Sequence, residues 1–157
     1  MSEMKLGRES SYGIEGLLTL AARPRGTAML LSDIAADRGI PQSFLAKIFQ
    51  KLTRYGIVHS FRGVVRGYAL ARHPKEIKVK EILLAIEGPD LFERCIFWSD
   101  RCADRNPCPL HDQWKQLKHQ FIGGLMERTT LADLIKKRPA RPTTAKRHFV
   151  QDARRGS

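Results

Sequence analysis

The sequence predicts a mainly α-helical fold in which one small β-hairpin follows a group of three helices. Three observations predict it: apolar residues recur at helical spacing in several stretches, two strand-like segments flank a glycine-bounded turn, and a wide apolar stripe runs along the C-terminal third. The chain has 157 residues, 42% of them apolar, which suffices for one ordinary core with an appended helix. We therefore expect a single domain with extensions.

The first predicted helix begins near Ser10 and ends before the loop that starts at Arg23. A serine at position 10 or 11 is available as its N-cap, because a serine hydroxyl can accept from the free amides of a first helical turn. The apolar residues of this stretch fall at offsets of three and four, which is typical of a helix with one buried face. They are Ile14, Leu17, Leu18 and Ala21.

A short second helix and a longer third helix follow. The Ser32 hydroxyl is placed to cap the second helix, and Gly39 is placed to end it in a left-handed turn. Pro41 suits the first position of the third helix, and Gly56 suits its C-terminal stop. Two helices joined in this way predict a helix-turn-helix, whose second helix lies in the major groove of DNA.

The third predicted helix has two different faces. The expected core face is apolar and consists of Phe44, Leu45, Ile48, Leu52 and Tyr55. The opposite stripe is small, polar or basic and consists of Ser43, Ala46, Lys47, Gln50 and Arg54. This stripe predicts a DNA-contacting surface made by Gln42, Ser43, Lys47, Gln50 and Arg54. A solvated surface helix is the alternative.

Two strand-like segments, IVHSF and YALAR, come directly after the third helix. The turn between them runs from Arg62 to Gly67, so a β-hairpin with a cationic tip is predicted. A hairpin in this place is the wing of a winged helix-turn-helix. Its arginines, Arg62 and Arg66, are candidates to reach phosphates or a minor groove, and an ordinary surface hairpin is the alternative.

The C-terminal half predicts a helix in the stretch KEIKVKEILLAIEG, residues 75–88, whose apolar face is Val79, Ile82, Leu83 and Ile86. It also predicts a long helix from Leu110 and a short last helix capped by Thr129 or Thr130. The long helix contains Gly123 and Gly124, each of which costs roughly 1 kcal/mol relative to alanine, so we expect another backbone to approach closely there. We interpret it as a dimerisation helix, with packing inside the chain as the alternative. The expected contact residues are Trp114, Leu117, Phe121 and Leu125.

All three cysteines lie in one short stretch, with the spacing C-x6-C-x5-C-x2-H from Cys95 through Cys102 and Cys108 to His111. In a protein of a reducing compartment this spacing indicates a metal site before a disulfide framework. Thiolates hold iron–sulfur clusters, while a Cys3His set also suits zinc. The prolines around Cys108 make the loop irregular and leave amides for cluster sulfurs, which favours iron. Zinc and inert buried thiols stay open.

Charge is divided unevenly along the chain, whose formal net charge is +12. Residues 1–75 carry +7, residues 76–135 carry −2 and residues 136–157 carry +7. Two basic segments around a near-neutral middle indicate a nucleic-acid partner. The last segment, from Arg138, has the composition of a disordered tail, for which simple solvation is the alternative.

Several functional classes are not supported by the sequence. No apolar run approaches the roughly 18 residues of a membrane helix, and the start lacks a signal-peptide core, so a cytoplasmic protein without membrane contact is expected. No nucleophile, base and orienting group occur together, and no phosphate-binding glycine motif is present, so no enzyme is expected. A thiol redox enzyme or electron carrier would not need the winged helix.

The order of these features resembles the Rrf-two family of bacterial transcription regulators, in particular its iron–sulfur branches of the IscR and NsrR type. The resemblance covers Met4 to about Lys137 and rests on MKLGRESSYGIEGLLTLA, on LLSDIAADRGIPQSFLAKIFQKLTRYGIV, on RGVVRGYAL and on the cysteine loop before the long helix. It implies a homodimeric repressor on a double-stranded, palindromic operator. It also implies a 2Fe-2S or 4Fe-4S cluster on Cys95, Cys102 and Cys108 that reports cluster status, nitric oxide or redox state.

The resemblance also bears on the fourth ligand of the cluster. His111 matches the histidine of the cluster-regulator branch. The nitric-oxide branch instead uses a carboxylate from the N-terminal helix of the partner subunit, where this chain has Ser11. Because Glu9 lies two residues away and on another helical face, we rank His111 above Glu9 and Ser11.

Two departures from the family pattern affect DNA recognition. Arg66 replaces a wing glycine, and Ala46 stands where some members have a carboxylate that discriminates sequence. We therefore expect a different operator. The predicted organisation is a DNA-binding winged helix-turn-helix at 1–75, a cluster loop with a dimerisation helix at 76–137, and a disordered basic tail at 138–157. A zinc-stabilised nucleic-acid-binding protein without a sensing role is the alternative.

Overall fold

The computed structural model of the protein describes residues 7–64, 66–95, 97 and 101–137, so the predicted tail lies outside the described residues. The helices are α1 (Arg8–Ala21), α2 (Leu31–Arg38), α3 (Gln42–Arg54), α4 (Val79–Glu87), α5 (His111–Gln120) and α6 (Leu131–Lys136). Strands β1 (Val58–Phe61) and β2 (Gly67–Leu70) form an antiparallel hairpin. The predicted fold class is confirmed. The described part contains no helix with the length and apolar content that a bilayer crossing requires.

Two glycines allow α1 to lie unusually close to α3 and α4. A Cβ added at Gly16 would lie 2.8 Å from Cε2 of Phe49 in α3, and one added at Gly13 would collide with Cδ1 of Ile86 in α4. Atoms at these separations overlap, so a side chain at Gly16 would have to displace the buried Phe49 ring, and one at Gly13 would have to displace the terminal methyl group of Ile86. The α1 helix therefore serves as the common support of α3 and α4.

One core joins the first three helices to the C-terminal half. Leu17 of α1, Leu45 of α3, Ile82 of α4 and Leu131 of α6 are all fully buried in it. Within the C-terminal half, the N–H of Leu131 donates to the carbonyl of Ile77 at 2.8 Å and joins the start of α6 to the segment before α4. The segments before and after the cysteine loop are thus held to the same core as the helix-turn-helix.

The buried face of α3 differs in part from the prediction. Leu45, Ile48 and Leu52 are buried as expected, but Phe44 and Tyr55 are 50% and 49% exposed. Those two assignments were wrong because helical spacing alone does not show where the neighbouring elements end. They stand at the edge of the helix, beside the polar stripe.

Phe49 is fully buried although its position was not assigned to the core face. Its ring packs edge-on against Tyr68 of the hairpin, with the ring centroids 5.0 Å apart. On the other side it meets Gly16 of α1. Phe49 is therefore packed between α1 and the hairpin, and the buried face of α3 is centred closer to position 49 than we predicted.

The Ser10 hydroxyl links two helices and caps neither. The α1 helix begins at Arg8 with Gly7 as N-cap, and no side chain bonds to its first amides. Ser10 is fully buried and donates to Oε1 of Glu87, at the end of α4, at 2.5 Å. A buried hydroxyl needs such a partner. The predicted cap at Ser10 or Ser11 is wrong.

The turn between α2 and α3 is confirmed, although the caps differ. Gly39 ends α2 in the left-handed region with φ 63°, as predicted. The N-cap of α2 is Leu30, so Ser32 lies inside the helix and does not cap it. Pro41 is the N-cap of α3 and not its first residue. These shifts of one or two residues are common at helix ends and leave the helix-turn-helix intact.

A buried arginine, which the sequence reasoning missed, fixes α2 against α1. The Arg38 side chain is only 4% exposed. Its guanidinium donates to Thr19 Oγ1 at 2.5 Å and to Glu15 Oε2 at 2.9 Å, both on α1, and it pairs with Asp37 at 3.2 Å. A buried guanidinium is tolerated only when its donors are satisfied in this way.

The last helices are confirmed in part. Thr130 caps α6 as predicted, accepting from the Asp133 N–H while the Asp133 carboxylate accepts from the Thr130 N–H at 2.9 Å. The long helix runs from α5 into a π-helical turn, Phe121–Met126. A Cβ at Gly123 or Gly124 would meet nothing within 4 Å. The expected close approach of a backbone is therefore not made within the described part of the chain.

The hairpin is tied to the segment before α2. Phe61 lies opposite Gly67, and the next residue, Tyr68, exchanges two backbone hydrogen bonds of 2.9 and 2.8 Å with Met29. Gly67 has φ 129°, and a Cβ there would collide with the Met29 carbonyl oxygen. The wing therefore reaches the helix-turn-helix through a position that only glycine fits.

We expect Gly67→Ala to lower the free energy of unfolding by about 1–3 kcal/mol, because the methyl group combines backbone strain with a collision against Met29. Urea denaturation followed by circular dichroism measures this. Gly63→Ala is the matched control, since Gly63 lies in the same hairpin with φ 105° but has nothing within 4 Å of an added Cβ. An equal loss in both variants would contradict the role of the close approach.

Candidate metal centre and nucleic-acid interface

A short loop between α4 and α5 carries the three cysteines. One antiparallel bridge, between Arg94 and Arg101, closes the base of this loop. The Cys102 N–H donates to the Glu93 carbonyl at 2.7 Å and strengthens the closure. Cys95 and Cys102 each directly follow a residue of the bridge. Backbone pairing thus sets the position of two of the predicted ligands.

The three thiols influence one another. Cys108 is buried, while Cys95 and Cys102 are half-buried. Burial raises the pKa of the Cys108 thiol, a hydrogen bond from the Leu110 N–H to its sulfur opposes this, and the nearby Cys95 and Cys102 raise the pKa further. The structure therefore brings the three cysteines of the motif into one neighbourhood.

Backbone amides point at the sulfurs of this loop. The Phe97 N–H lies 3.4 Å from Sγ of Cys95, and the Leu110 N–H bonds to Cys108. Pro107 and Pro109 stand on either side of Cys108 and interrupt regular structure there. Amide donors to thiolate sulfurs are one of the means by which proteins adjust iron–sulfur clusters. The expectation of available amides is met.

His111 is the first residue of α5 and contacts the thiols. Its side chain is buried, with Nδ1 3.5 Å from Sγ of Cys102 and Nε2 2.8 Å from Oδ1 of Asp104. Asp104 also accepts from Lys115 Nζ at 2.9 Å. The Lys115 ammonium and the bond to His111 hold the pKa of Asp104 below its ordinary value. The sequence reasoning identified His111 but missed Asp104 and Lys115.

The other proposed fourth ligands have other surroundings. Glu9 lies on α1, and its carboxylate pairs with Nζ of Lys51 on α3 at 2.9 Å. Ser11 is exposed on α1. Within its own chain, the Glu9 carboxylate thus pairs with Lys51 on α3 and not with the described residues of the cysteine loop. A role for either residue toward a second subunit stays a prediction.

The donor chemistry of the loop suits a cluster. A single zinc ion needs four donors at about 2.0–2.3 Å from one point. Among the described residues, no three His, Cys, Asp or Glu side chains converge closely enough to hold one metal ion. A cluster spreads its ligands further apart, because irons and sulfides lie between them. Three thiols, one imidazole and amide donors fit such a group.

The outer side of α3 and the wing form the candidate nucleic-acid interface. All the side chains assigned to it are exposed: Gln42, Ser43, Lys47, Gln50, Arg54, Arg62 and Arg66. A concavity of about 440 Å³ lies between the wing and the N-termini of α2 and α3, and Ser32, Arg62 and Arg66 are among its lining residues. Ser32, which we predicted to cap α2, therefore belongs to the candidate nucleic-acid interface. Its position in the first turn of α2 was the sequence signal that could have indicated this role.

The Lys51 ammonium stands where α1, α3 and α4 meet. In addition to its pair with Glu9, it donates to the Ile86 carbonyl in the last turn of α4 at 3.0 Å. Behind α4, Asp90 of the following 3₁₀ turn pairs at 2.9 Å with Arg101 at the base of the cysteine loop. The loop and α3 are thus connected through the end of α4.

The predicted dimerisation stripe is exposed. Leu117, Phe121 and Leu125 are 51%, 44% and 53% exposed, which is high for apolar side chains arranged in one row. Trp114 is half-buried and donates from Nε1 to the Arg94 carbonyl at 3.3 Å, so it also touches the cysteine loop. Beside the row lies an apolar groove of about 220 Å³ against Leu83 and other residues.

Comparison with known proteins supplies the family. The sequence pattern of the family described as "Rrf2: Iron-dependent Transcriptional regulator" matches residues 6–137. The HTH-type transcriptional regulator IscR of Serratia proteamaculans (strain 568) is 30% identical over 132 residues, covering 84% of this chain and 79% of that protein. The T. potens IscR structure superposes with a TM-score of 0.68 at 26% identity, covering 90% of this chain and 96% of that one.

A further solved structure, that of CymR (YrzC), the global cysteine regulator of B. subtilis, gives a TM-score of 0.70 at 22% identity, covering 87% of this chain and all of its own; it supports the fold alone. The family match spans nearly all the described residues, and its members regulate transcription and are not enzymes. The chain therefore belongs to the Rrf2 family and is a DNA-binding transcriptional regulator.

Proposed function

We propose that this regulator carries an iron–sulfur cluster on Cys95, Cys102, Cys108 and His111, and that the state of the cluster controls DNA binding. The observation that carries the proposal is the cysteine loop, where three thiols, a buried imidazole and amide donors to sulfur lie together. The iron-dependent family description and the relatives named IscR support it. When bound, the cluster supplies a centre that iron supply, nitric oxide or oxidants alter.

The cluster loop would act on DNA binding through α4. Ligation by the three thiols would fix Cys95, Cys102 and Cys108 relative to one another. Arg101 would carry the change to the 3₁₀ turn through Asp90, and the end of α4 contacts Lys51 on α3. Because α3 is the helix expected to read DNA, a shift at this junction would change the DNA-competent population.

The interface would combine base reading with backbone contacts. The α3 stripe, with Lys47 and Gln50 at its centre, would enter the major groove. In the concavity beside it, Arg62, Arg66 and Ser32 at the N-terminus of α2 provide a surface for phosphate oxygens. A guanidinium at the wing tip would also suit a narrow minor groove, where the potential is most negative.

A homodimer would place two such interfaces on one face of DNA. The row of Leu117, Phe121 and Leu125 is apolar and exposed, and no described part of the chain approaches the adjacent Gly123 and Gly124. A second copy of α5 laid on this row would bury it and would use the space at the glycines. The two α3 helices would then contact half-sites about 34–36 Å apart. A cytoplasmic location stays a prediction.

A zinc-stabilised, non-sensing protein is the second candidate, because the three thiols and the His111 imidazole beside Cys102 are also a Cys3His ligand set for zinc. The two candidates differ in colour, since iron–sulfur clusters absorb visible light and zinc does not. Anaerobic purification with iron, sulfide and zinc analysis distinguishes them. Zinc in stoichiometric amount without iron would overturn the iron–sulfur proposal.

We expect Cys102→Ala to abolish cluster incorporation while the helical content stays unchanged, because a half-buried loop thiol contributes ligation and little packing. Anaerobic reconstitution followed by iron and sulfide analysis, visible absorption and circular dichroism measures both. Gln116→Ala, an exposed change on α5, is the control and keeps full incorporation. Iron and sulfide at wild-type stoichiometry in the cysteine variant would contradict the ligand assignment.

Lys47→Ala should weaken binding to the specific operator by about 1–3 kcal/mol and relax preference at one base pair if Lys47 contacts a guanine edge. Fluorescence anisotropy on specific and random duplexes at fixed salt measures this. Lys75→Ala removes the same charge from an exposed position outside the interface and controls for net charge. Unchanged affinity of the Lys47 variant for both duplexes would exclude this face of α3 from the interface.

Leu117→Asp should weaken dimerisation by about 2–4 kcal/mol, because a carboxylate would be buried in an apolar contact. Sedimentation equilibrium over a range of concentrations measures the dissociation constant. The neighbouring Gln116→Asp adds the same charge beside the row and should leave the dimer unchanged. A dimer of wild-type stability in the Leu117 variant would place the contact elsewhere.

A further inference from the structure

The two ring nitrogens of His111 have different and opposed partners. Nδ1 faces the thiols, 3.5 Å from Sγ of Cys102, and Nε2 lies 2.8 Å from Oδ1 of Asp104. The ring is buried, and both nitrogens contact protein groups. The two sides of the imidazole are therefore chemically distinct in this protein.

The carboxylate determines which nitrogen carries the proton. An ionised carboxylate only accepts hydrogen bonds, so Nε2 is the ring atom that holds N–H when it bonds to Asp104. The lone pair of the neutral ring then lies on Nδ1, the nitrogen directed toward Cys102. A metal-binding histidine needs such a lone pair, and its second nitrogen commonly donates to a carboxylate.

Lys115 keeps this carboxylate in place. It lies four residues after His111 on α5, one helical turn away, so the two side chains project from the same face of the helix. Its Nζ donates to the same Oδ1 atom of Asp104 at 2.9 Å. Asp104 itself lies on the cysteine loop. The α5 helix thus supplies both His111 and Lys115, and these two side chains hold the Asp104 carboxylate of the cysteine loop between them.

We propose that Asp104 and Lys115 are positioning residues that make His111 bind the cluster through Nδ1, with Nε2–H donated to Asp104. This inference rests on the proposed iron–sulfur function and extends it to the atom and the supporting residues.

Selective isotope labelling tests which atom binds. The full chain is produced with histidine carrying ¹⁵N only at Nδ1 or only at Nε2, reconstituted anaerobically, reduced and measured by pulsed electron paramagnetic resonance. We expect the strong nitrogen hyperfine coupling to change only with the Nδ1 label, and to disappear in His111→Ala. A coupling that follows Nε2 overturns this inference alone. A cluster without histidine coupling overturns this inference and also removes His111 from the proposed ligand set, while the cluster on the three cysteines stands. A wild-type chain that binds no cluster overturns the proposed function as well.

Substitution of the carboxylate tests the positioning role. The Asp104 side chain is 76% exposed, so its replacement leaves the core unchanged, which circular dichroism verifies. Asp104→Ala should shorten the lifetime of the cluster absorbance under a chelator about 10-fold or more and alter the histidine coupling, while Asp104→Glu restores much of both. Asp112→Asn, a neighbouring exposed carboxylate on α5, is the matched control. Wild-type lifetime and coupling in Asp104→Ala would overturn the proposal.

Discussion

The close approach of α1 to α3 and α4 is the constraint on which the rest of the structure depends. It requires glycine at positions 13 and 16, where a Cβ would overlap Ile86 or Phe49. Because the apolar side of α3 is buried against this support, its opposite side is free to carry polar and basic residues. The same support fixes the end of α4, from which the cysteine loop departs. The proposed DNA-contacting helix and the proposed cluster loop therefore rest on the same support.

This arrangement places the cysteine loop and α3 on either side of a small junction. Lys51 joins α3 to α1 and to the last turn of α4, and Ser10 joins α1 to Glu87 one residue further along. Short polar contacts of this kind have two discrete states, made and broken, whereas packed apolar contacts resist gradual deformation. A change in the loop would thus reach α3 with little loss over a short path.

Many of the elements and part of the candidate site could be predicted from the sequence, because short stretches of residues indicate them. Periodicity indicated the helices, Gly39 the turn, and the cysteine spacing the loop with His111. The rest depended on tertiary contacts. Phe49 is buried because it packs against the hairpin, whereas Phe44, which we assigned to the core, is exposed. Ser10 donates to the distant Glu87 and does not cap its own helix. Arg38, Asp104 and Lys115 carry no local pattern, since charged residues are usually solvated.

The π-helical turn at Phe121–Met126 has a consequence for the exposed apolar row of Leu117, Phe121 and Leu125. Such a turn holds one residue more than an α-helical turn. The step of four residues from Phe121 to Leu125 lies within this turn and therefore stays nearly in line with the helix axis, whereas in a regular α-helix it would drift around the axis by about 40°. Loss of a single residue here would restore α-helix and rotate everything beyond it by about 100°. The rotational setting of the outer row relative to α6 is thus encoded in chain length, and homologues that gain or lose one residue at this point would pair differently without any change of side chain.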